Sequence, residues 1–310
     1  MVHAVDASEL LGVGLGPLRL SNPVIAASGT WGYGHDVQPA SMSARLGAVC
    51  TKGLSLEPRQ GNPPPRICET PSGMLNAIGL ANIGLDAFLE QAMPHLREAS
   101  VTVIANIFAE SAEQFGTLAE RLAAAGGIAA LELNVSCPNV RHGGIHFGRD
   151  PAMAAGLTRL VHERSGLPVI VKMTPEAPDI VAVARACEDA GAAALSAINT
   201  IRGMAVDVDG ARPRLATIYG GLSGPAIRPV ALRIVHEIAR AVSIPVVGIG
   251  GISTARDALE FLMAGASAVQ VGTATFLDPE APIRVLEGLE AWCGQRARSI
   301  EQIIGSMEVP

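Results

Sequence analysis

Aromatic side chains are scarce in this chain: two Trp, two Tyr and six Phe amount to 3% of its 310 residues. That argues against an aromatic-rich binding surface and for helices packed closely on a sheet. No block of Lys or Arg occurs and the net charge is −6, so the basic stripe of a nucleic-acid groove is missing. No charge-free apolar run of about 18 residues is present, and no membrane span is expected. The first ten residues carry Asp6 and Glu9 without a basic stretch, unlike a signal peptide. The five cysteines, Cys50, Cys68, Cys137, Cys187 and Cys293, form no C-x-x-C pair. This speaks against a zinc or iron–sulfur site and against a disulfide framework, and a reduced, cytoplasmic setting fits best. Four are expected to be buried small hydrophobes; only Cys137 has polar neighbours.

What the chain has is apolar material, 49% of its residues, in a regular order. Short runs rich in Val and Ile, at 23–27, 48–51, 101–105, 129–133, 168–171, 193–198, 245–249 and 268–271, alternate with amphipathic stretches. Continuous runs of this length suit strands buried on both faces, as in a parallel sheet. Between them, Ser111 and Gln114 look like a capping box, with Phe115, Leu118 and Leu122 on one face and Gly126-Gly127 as the stop. Val230, Ile234 and Ile238 repeat in the same way, and Thr254 with Asp257 opens another helix. Gly47, Gly191 and Gly265 recur at helix-to-strand turns, where a left-handed cap is expected. Eight such units predict a (β/α)8 barrel, residues 1–310 forming a single domain; a doubly wound open sheet is the alternative. Segments 57–80, 136–149 and 202–224 are too long for plain connections. They are expected as extended loops at the C-terminal face, where barrels build their sites.

Polar residues follow the apolar runs in register: Ser28, Lys52, Asn106, Asn134, Lys172, Asn199, Gly250-Gly251 and Gly272-Thr273. Each alone reads as a turn residue or cap; together, at one barrel mouth, they read as a binding site. The glycines after the last two strands, with Gly220-Gly221-Leu222-Ser223-Gly224-Pro225, suggest backbone N–H groups aimed at a phosphate. Cys137 precedes Pro138, which holds it out of helical conformation. A free thiol there is a base, a nucleophile or an inert residue. His142 and His146 are partners for it or solvated loop residues.

The run Asn134-Val135-Ser136-Cys137-Pro138-Asn139-Val140-Arg141-His142-Gly143-Gly144, together with Asn76-Ala77-Ile78-Gly79-Leu80, resembles the dihydroorotate dehydrogenases, and within them the NAD-linked class 1B catalytic subunits. Ala27-Ser28-Gly29-Thr30, Thr51-Lys52-Gly53, Ile198-Asn199-Thr200 and Val271-Gly272-Thr273 add to the likeness, which runs in order over nearly the whole chain. Trp31, Tyr33, Phe108, His142 and His146 depart from the usual pattern.

The resemblance implies an FMN-dependent oxidation of dihydroorotate to orotate in pyrimidine biosynthesis. It implies Cys137 as the base at carbon 5 and hydride transfer from carbon 6 to the flavin. By the same likeness, substrate would meet Lys52, Asn76, Ala77, Ile78, Gly79, Leu80, Asn134, Asn199 and Thr200. FMN would meet Ser28, Lys52, Gly53, Asn106, Asn134, Lys172, Ile198, Gly224, Gly250, Gly251, Gly272 and Thr273. Class 1B further implies a partner subunit carrying FAD and a 2Fe–2S cluster that passes electrons to NAD, around a homodimeric core of a heterotetramer. Fumarate-linked class 1A enzymes, a related flavin barrel acting on dihydropyrimidines such as uracil, a phosphate-binding barrel without redox activity, and a non-catalytic subunit are the alternatives.

Overall fold

The computed structural model describes residues 10–135 and 144–309, apart from the side chains of 144–146. Eight parallel strands close into a barrel: β1 (Val24–Ala26), β2 (Ala48–Cys50), β3 (Val103–Ile107), β4 (Ala130–Asn134), β5 (Val169–Met173), β6 (Ala194–Ala197), β7 (Val246–Ile249) and β8 (Ala268–Val271). Each pairs with the next in the chain, and β8 closes on β1. The barrel strands are buried along almost their whole length, which is why they read as unbroken apolar runs rather than alternating ones.

One strand sits later than its run. Residues 101–105 were expected, but β3 begins at Val103. The preceding helix Met93–Glu98 takes Val101 into its exit: Ser100 turns left-handed at φ 56° and the Val101 N–H donates to the Leu96 carbonyl at 2.9 Å. Asn106 therefore lies inside a strand, not beyond it.

The helices form where the end signals stand. Ser111 accepts from the Gln114 N–H at 3.3 Å and opens Ala112–Ala125, which buries Phe115, Leu118 and Leu122 and stops at Gly126, φ 70°. Only half of the expected box forms, because the Gln114 side chain accepts from Glu110 instead. Thr254 and Asp257 make the reciprocal pair in full ahead of Ala255–Met263. Helix Arg228–Ala239 buries Ala231, Ile234, Val235 and Ile238, whereas Val230 faces outward. Its buried stripe is thus offset from the four-residue spacing that suggested it.

Segments 57–80 and 202–224 do not wander over the surface. They contribute to a four-stranded antiparallel sheet in the order Ile201–Gly203, Gly220–Ser223, Gly73–Asn76, Ile67–Thr70. Leu75, Ala77 and Leu215 form its own small apolar cluster. The sheet stands beside the C-terminal ends of the barrel strands, and several of its residues face the same cavity as those strand ends.

The repeated turn glycines serve two purposes. Gly191 and Gly265 have φ of 91° and 117°, as a left-handed turn requires. Gly47 does not have a positive φ. A Cβ there would stand 2.0 Å from the Asn22 carbonyl oxygen, so the residue is small because backbone crosses it. Gly47→Ala should lower stability by about 1–3 kcal/mol. Gly14→Ala, on an exposed strand position with nothing within 4 Å of the new methyl, should stay within about 0.5 kcal/mol of the parent. Urea unfolding of the two variants checks the contrast.

Candidate active site

The barrel interior is polar at one level. Glu132 on β4 is fully buried, and side chains from the other strands converge on its carboxylate. Cys50 on β2 donates to Oε1 at 3.2 Å and Asn106 on β3 at 2.7 Å, while Lys172 on β5 stands 3.5 Å away. Ser196 on β6 donates to Oε2 at 2.9 Å and Gln270 on β8 at 2.7 Å. Burial by itself drives this carboxyl group's pKa up. The Lys172 charge, followed by the hydrogen bonds from Gln270, Cys50 and Asn106, outweighs it and holds the group below the usual carboxylate range. The Cys50 thiol is pushed well up, by burial first and by the Glu132 charge second, with Lys172 opposing.

Above this layer opens a cavity whose wall includes Lys172. Lys52 follows β2, with its N–H donating to the Gly32 carbonyl at 2.8 Å. Burial lowers its ammonium pKa and Arg66 lowers it further, against the opposing charge of Asp36. Across the mouth, Asn199 donates through Nδ2 to Asn134 Oδ1 at 3.2 Å, and its own Oδ1 accepts from the Thr200 N–H at 2.8 Å. Asn76, on the accessory sheet, donates to the Gly221 carbonyl at 3.1 Å. Lys52 and Lys172 are the charged side chains among the described lining residues, which include no carboxylate.

One side of the cavity is built from backbone. Gly224, Gly250 and Gly251 have φ of 92°, 135° and 73°. A Cβ on Gly251 would meet the Gly224 carbonyl oxygen at 2.7 Å, and one on Gly224 would meet the Gly73 Cα at 2.9 Å and lie 3.5 Å from Thr273 Cγ2. Turns after β7 and β8 and the end of the accessory strand thus press together with no room for side chains. This is a surface of main-chain atoms of the kind that receives an anionic group.

The family profile described as dihydroorotate dehydrogenase matches residues 11–292. The chain belongs to the dihydroorotate dehydrogenase family. It is therefore an oxidoreductase. Among its relatives, a protein of Trichlorobacter lovleyi is 53% identical over 299 residues, covering 96% of this chain and 98% of the relative. One of Geobacter sulfurreducens is 53% identical over 300 residues, and one of Citrifermentans bemidjiense 50% over 300, each with the same coverage. All three are named dihydroorotate dehydrogenase B (NAD(+)), catalytic subunit.

As a member of this family, the chain brings most of its sequence-marked positions to one place. Ser28, Lys52, Gly53, Asn76, Ile78, Gly79, Leu80, Asn134, Lys172, Ile198, Asn199, Thr200, Gly224, Gly250, Gly251, Gly272 and Thr273 all line the cavity. Two marked residues do not. Ala77 is turned into the small cluster with Leu75 and Leu215. Asn106 lies beneath the wall, bonded to Glu132, although its Oδ1 comes within 3.0 Å of where a Cβ on Gly53 would be. Cys137 and His142 lie outside the described residues, as does the side chain of His146.

Three departures from the usual family pattern, Trp31, Tyr33 and Phe108, are accounted for by packing. Trp31 is buried and donates to Ser43 at 2.8 Å, and the Tyr33 hydroxyl accepts from the Ile83 N–H at 3.1 Å. The Phe108 ring fills the space over Gly53. Ile67, Met74 and Phe276 line the cavity and Glu132 organises its floor, and none of these four is marked as a site residue by the sequence. Glu132 had a signal, a lone charge inside an apolar run.

Among the described cysteines, Cys50, Cys187 and Cys293 are buried as expected, while Cys68 is half-exposed on an edge strand of the accessory sheet. Burial pushes the Cys187 thiol up to about 12. No group of three or more His, Cys, Asp or Glu among the described residues is arranged to hold a metal ion. No helix among them is long and apolar enough to cross a membrane.

The Glu132 pairing carries a pH signature. A carboxyl group held below its unfolded value stabilises the fold fully above the ordinary range near 4.3, and that contribution is lost as pH falls through the lower folded value. Glu132→Gln should be less stable than the parent by about 3 kcal/mol near neutrality, since it strands a buried lysine. The gap should shrink as pH drops below about 4. Urea midpoints of both proteins from pH 3 to 7 measure it; a gap that widens toward acid contradicts the assignment.

Proposed function

We propose that this chain oxidises dihydroorotate to orotate, in pyrimidine biosynthesis, with FMN bound along the glycine-built side of the cavity and Cys137 acting as the base. The observation that carries the reading is the composition of the cavity wall in a chain of this family: two lysines, three asparagines, a surface of main-chain atoms and no carboxylate among the described residues. Such a wall accepts anions and amide edges and offers nothing to repel them.

The surface at Gly224, Gly250, Gly251, Gly272 and Thr273 suits a phosphate group, since Cβ atoms added at Gly224, Gly250 and Gly251 would collide with their neighbours and the main chain is left bare there. Lys172, Lys52, Ser28, Gly53, Asn134 and Ile198 would hold the ring end. FMN bound there would supply the acceptor for a hydride. Lys172, rising from the barrel floor, would stabilise negative charge beside it. The substrate carboxylate and amide edge would be held by Lys52, Asn76, Asn134, Asn199 and Thr200, with the backbone of residues 78–80 closing one side. Ile67, Met74 and Leu80 add apolar surface that excludes water from the reacting carbons.

Cys137 comes two residues after Val135, the buried residue that follows β4. Its thiolate would take the proton from carbon 5. The buried thiols of Cys50 and Cys187 are unsuited to that task, since burial disfavours their anions. The name carried by the relatives supports a second subunit, here proposed to hold FAD and a 2Fe–2S cluster and to pass electrons to NAD. We also place the chain in the cytoplasm, as the core of a homodimer within a heterotetramer.

Anaerobic addition of dihydroorotate to the purified yellow protein should bleach the flavin absorbance. A colourless protein, or a yellow one that stays yellow, refutes the reading. Orotate should inhibit and uracil should not; the reverse would favour a dihydropyrimidine substrate. Cys137→Ala should keep its flavin but bleach about 10²–10⁴-fold more slowly, and in the parent the rate should climb as pH rises through the thiol range near 8.5. Stopped-flow traces from pH 6 to 9 decide both points, and a flat profile counts against a thiolate base.

A further inference from the structure

The floor of the cavity holds a carboxylate that the proposed reaction does not use. Glu132 has no exposed surface, and its partner Lys172 is both 92% buried and part of the cavity wall. The ionisable groups facing one another in this layer are Glu132, Lys172 and Cys50. Their other neighbours are neutral: Asn106 from β3, Ser196 from β6, Gln270 from β8, and Asn134, which lies in register with Lys172 across β4 and β5. No water-exposed surface lies between the two charges to screen them, so they attract each other more strongly than a surface pair would.

We propose that Glu132 is a positioning residue for the flavin: its buried negative charge keeps Lys172 ionised and in place, and so sets the net charge of the floor beneath the cofactor. The proposal rests on the flavin reading above. Its physical basis is that a buried ion deprived of its partner changes protonation state rather than remain unpaired. The surroundings also permit a clean test. The Gln270 Oε1 atom is buried without a hydrogen-bond partner, so a half-turn of that amide lets it accept from the new N–H of a Glu132→Gln variant.

The experiment loads the parent, Glu132→Gln, Lys172→Met and the double variant with FMN. It then follows the flavin midpoint potential of each from pH 6 to 9 against reference dyes. Glu132→Gln should lie above the parent at pH 6, by at least tenfold in the reduction equilibrium, about 30 mV for a two-electron couple. That excess should disappear in a step as Lys172 gives up its proton. Lys172→Met should show the complementary step, lying below the parent at pH 9 and recovering toward acid as Glu132 takes a proton up. The double variant, with neither ion, should follow the slope of the parent. Single variants that both run parallel to the parent overturn the proposal, as does a step that survives in the double variant. Should Glu132→Gln fail to fold, the Lys172→Met curve decides alone. A parent protein that takes up no FMN overturns the flavin reading itself, and its colourless spectrum tells that failure from the others.

Discussion

The site is built on a carboxylate sealed inside a barrel. A lone ionised group in such a place would be untenable, because burial opposes its charge. Glu132 is tolerated because five strands turn donors or a cation toward it: Cys50, Asn106, Lys172, Ser196 and Gln270. The constraint works in both directions. Those side chains must present hydrogens to one point, which fixes the rotation of their strands about the barrel axis and hence which residues emerge at the mouth. An apolar layer of the same volume would pack, but it would leave Lys172 with no anion to hold it under the cavity.

A strand's side chains repeat every two residues, and that period carries the buried layer up to the cavity. Two residues beyond Cys50 comes Lys52; beyond Glu132, Asn134; beyond Ser196, Ile198; beyond Gln270, Gly272. All four of these second residues line the cavity. Part of the mouth is therefore the next inward position on four of the strands that meet at Glu132. The rest of the wall has a different origin. The glycine side comes from turns that need positive φ and bare backbone, and a further part from the antiparallel sheet made of segments 57–80 and 202–224.

This division explains what could be read in the sequence. The eight strands were legible because a strand buried on both faces leaves an apolar run, and the glycine-built side was legible because its glycines cluster after the last strands. The mouth residues Lys52, Asn134 and Asn199 stood out because each is polar directly after an apolar run. Asn106 was misplaced by the same rule: the run began inside the exit of the preceding helix, so a residue inside β3 looked like one beyond its end. Glu132 stands out as a lone charge between Leu131 and Leu133, but no local pattern says that its partners arrive from five other strands. Ile67 and Met74 belong to a sheet whose strands are too short, and whose partners are too distant in sequence, for periodicity to show.

The same layer separates two kinds of ionisable group. On β4 the chain places a buried charge at 132 and an amide at 134. A group meant to stay ionised gains from complete burial with fixed partners, as Glu132 has. A base must instead release and regain a proton within one turnover, so its two protonation states have to be close in free energy. Complete burial works against that for a thiol: Cys50 on β2 is sealed in the same layer, and burial drives its pKa well above the ordinary thiol value. That is why the base proposed above is Cys137 and not the thiol bonded to Glu132.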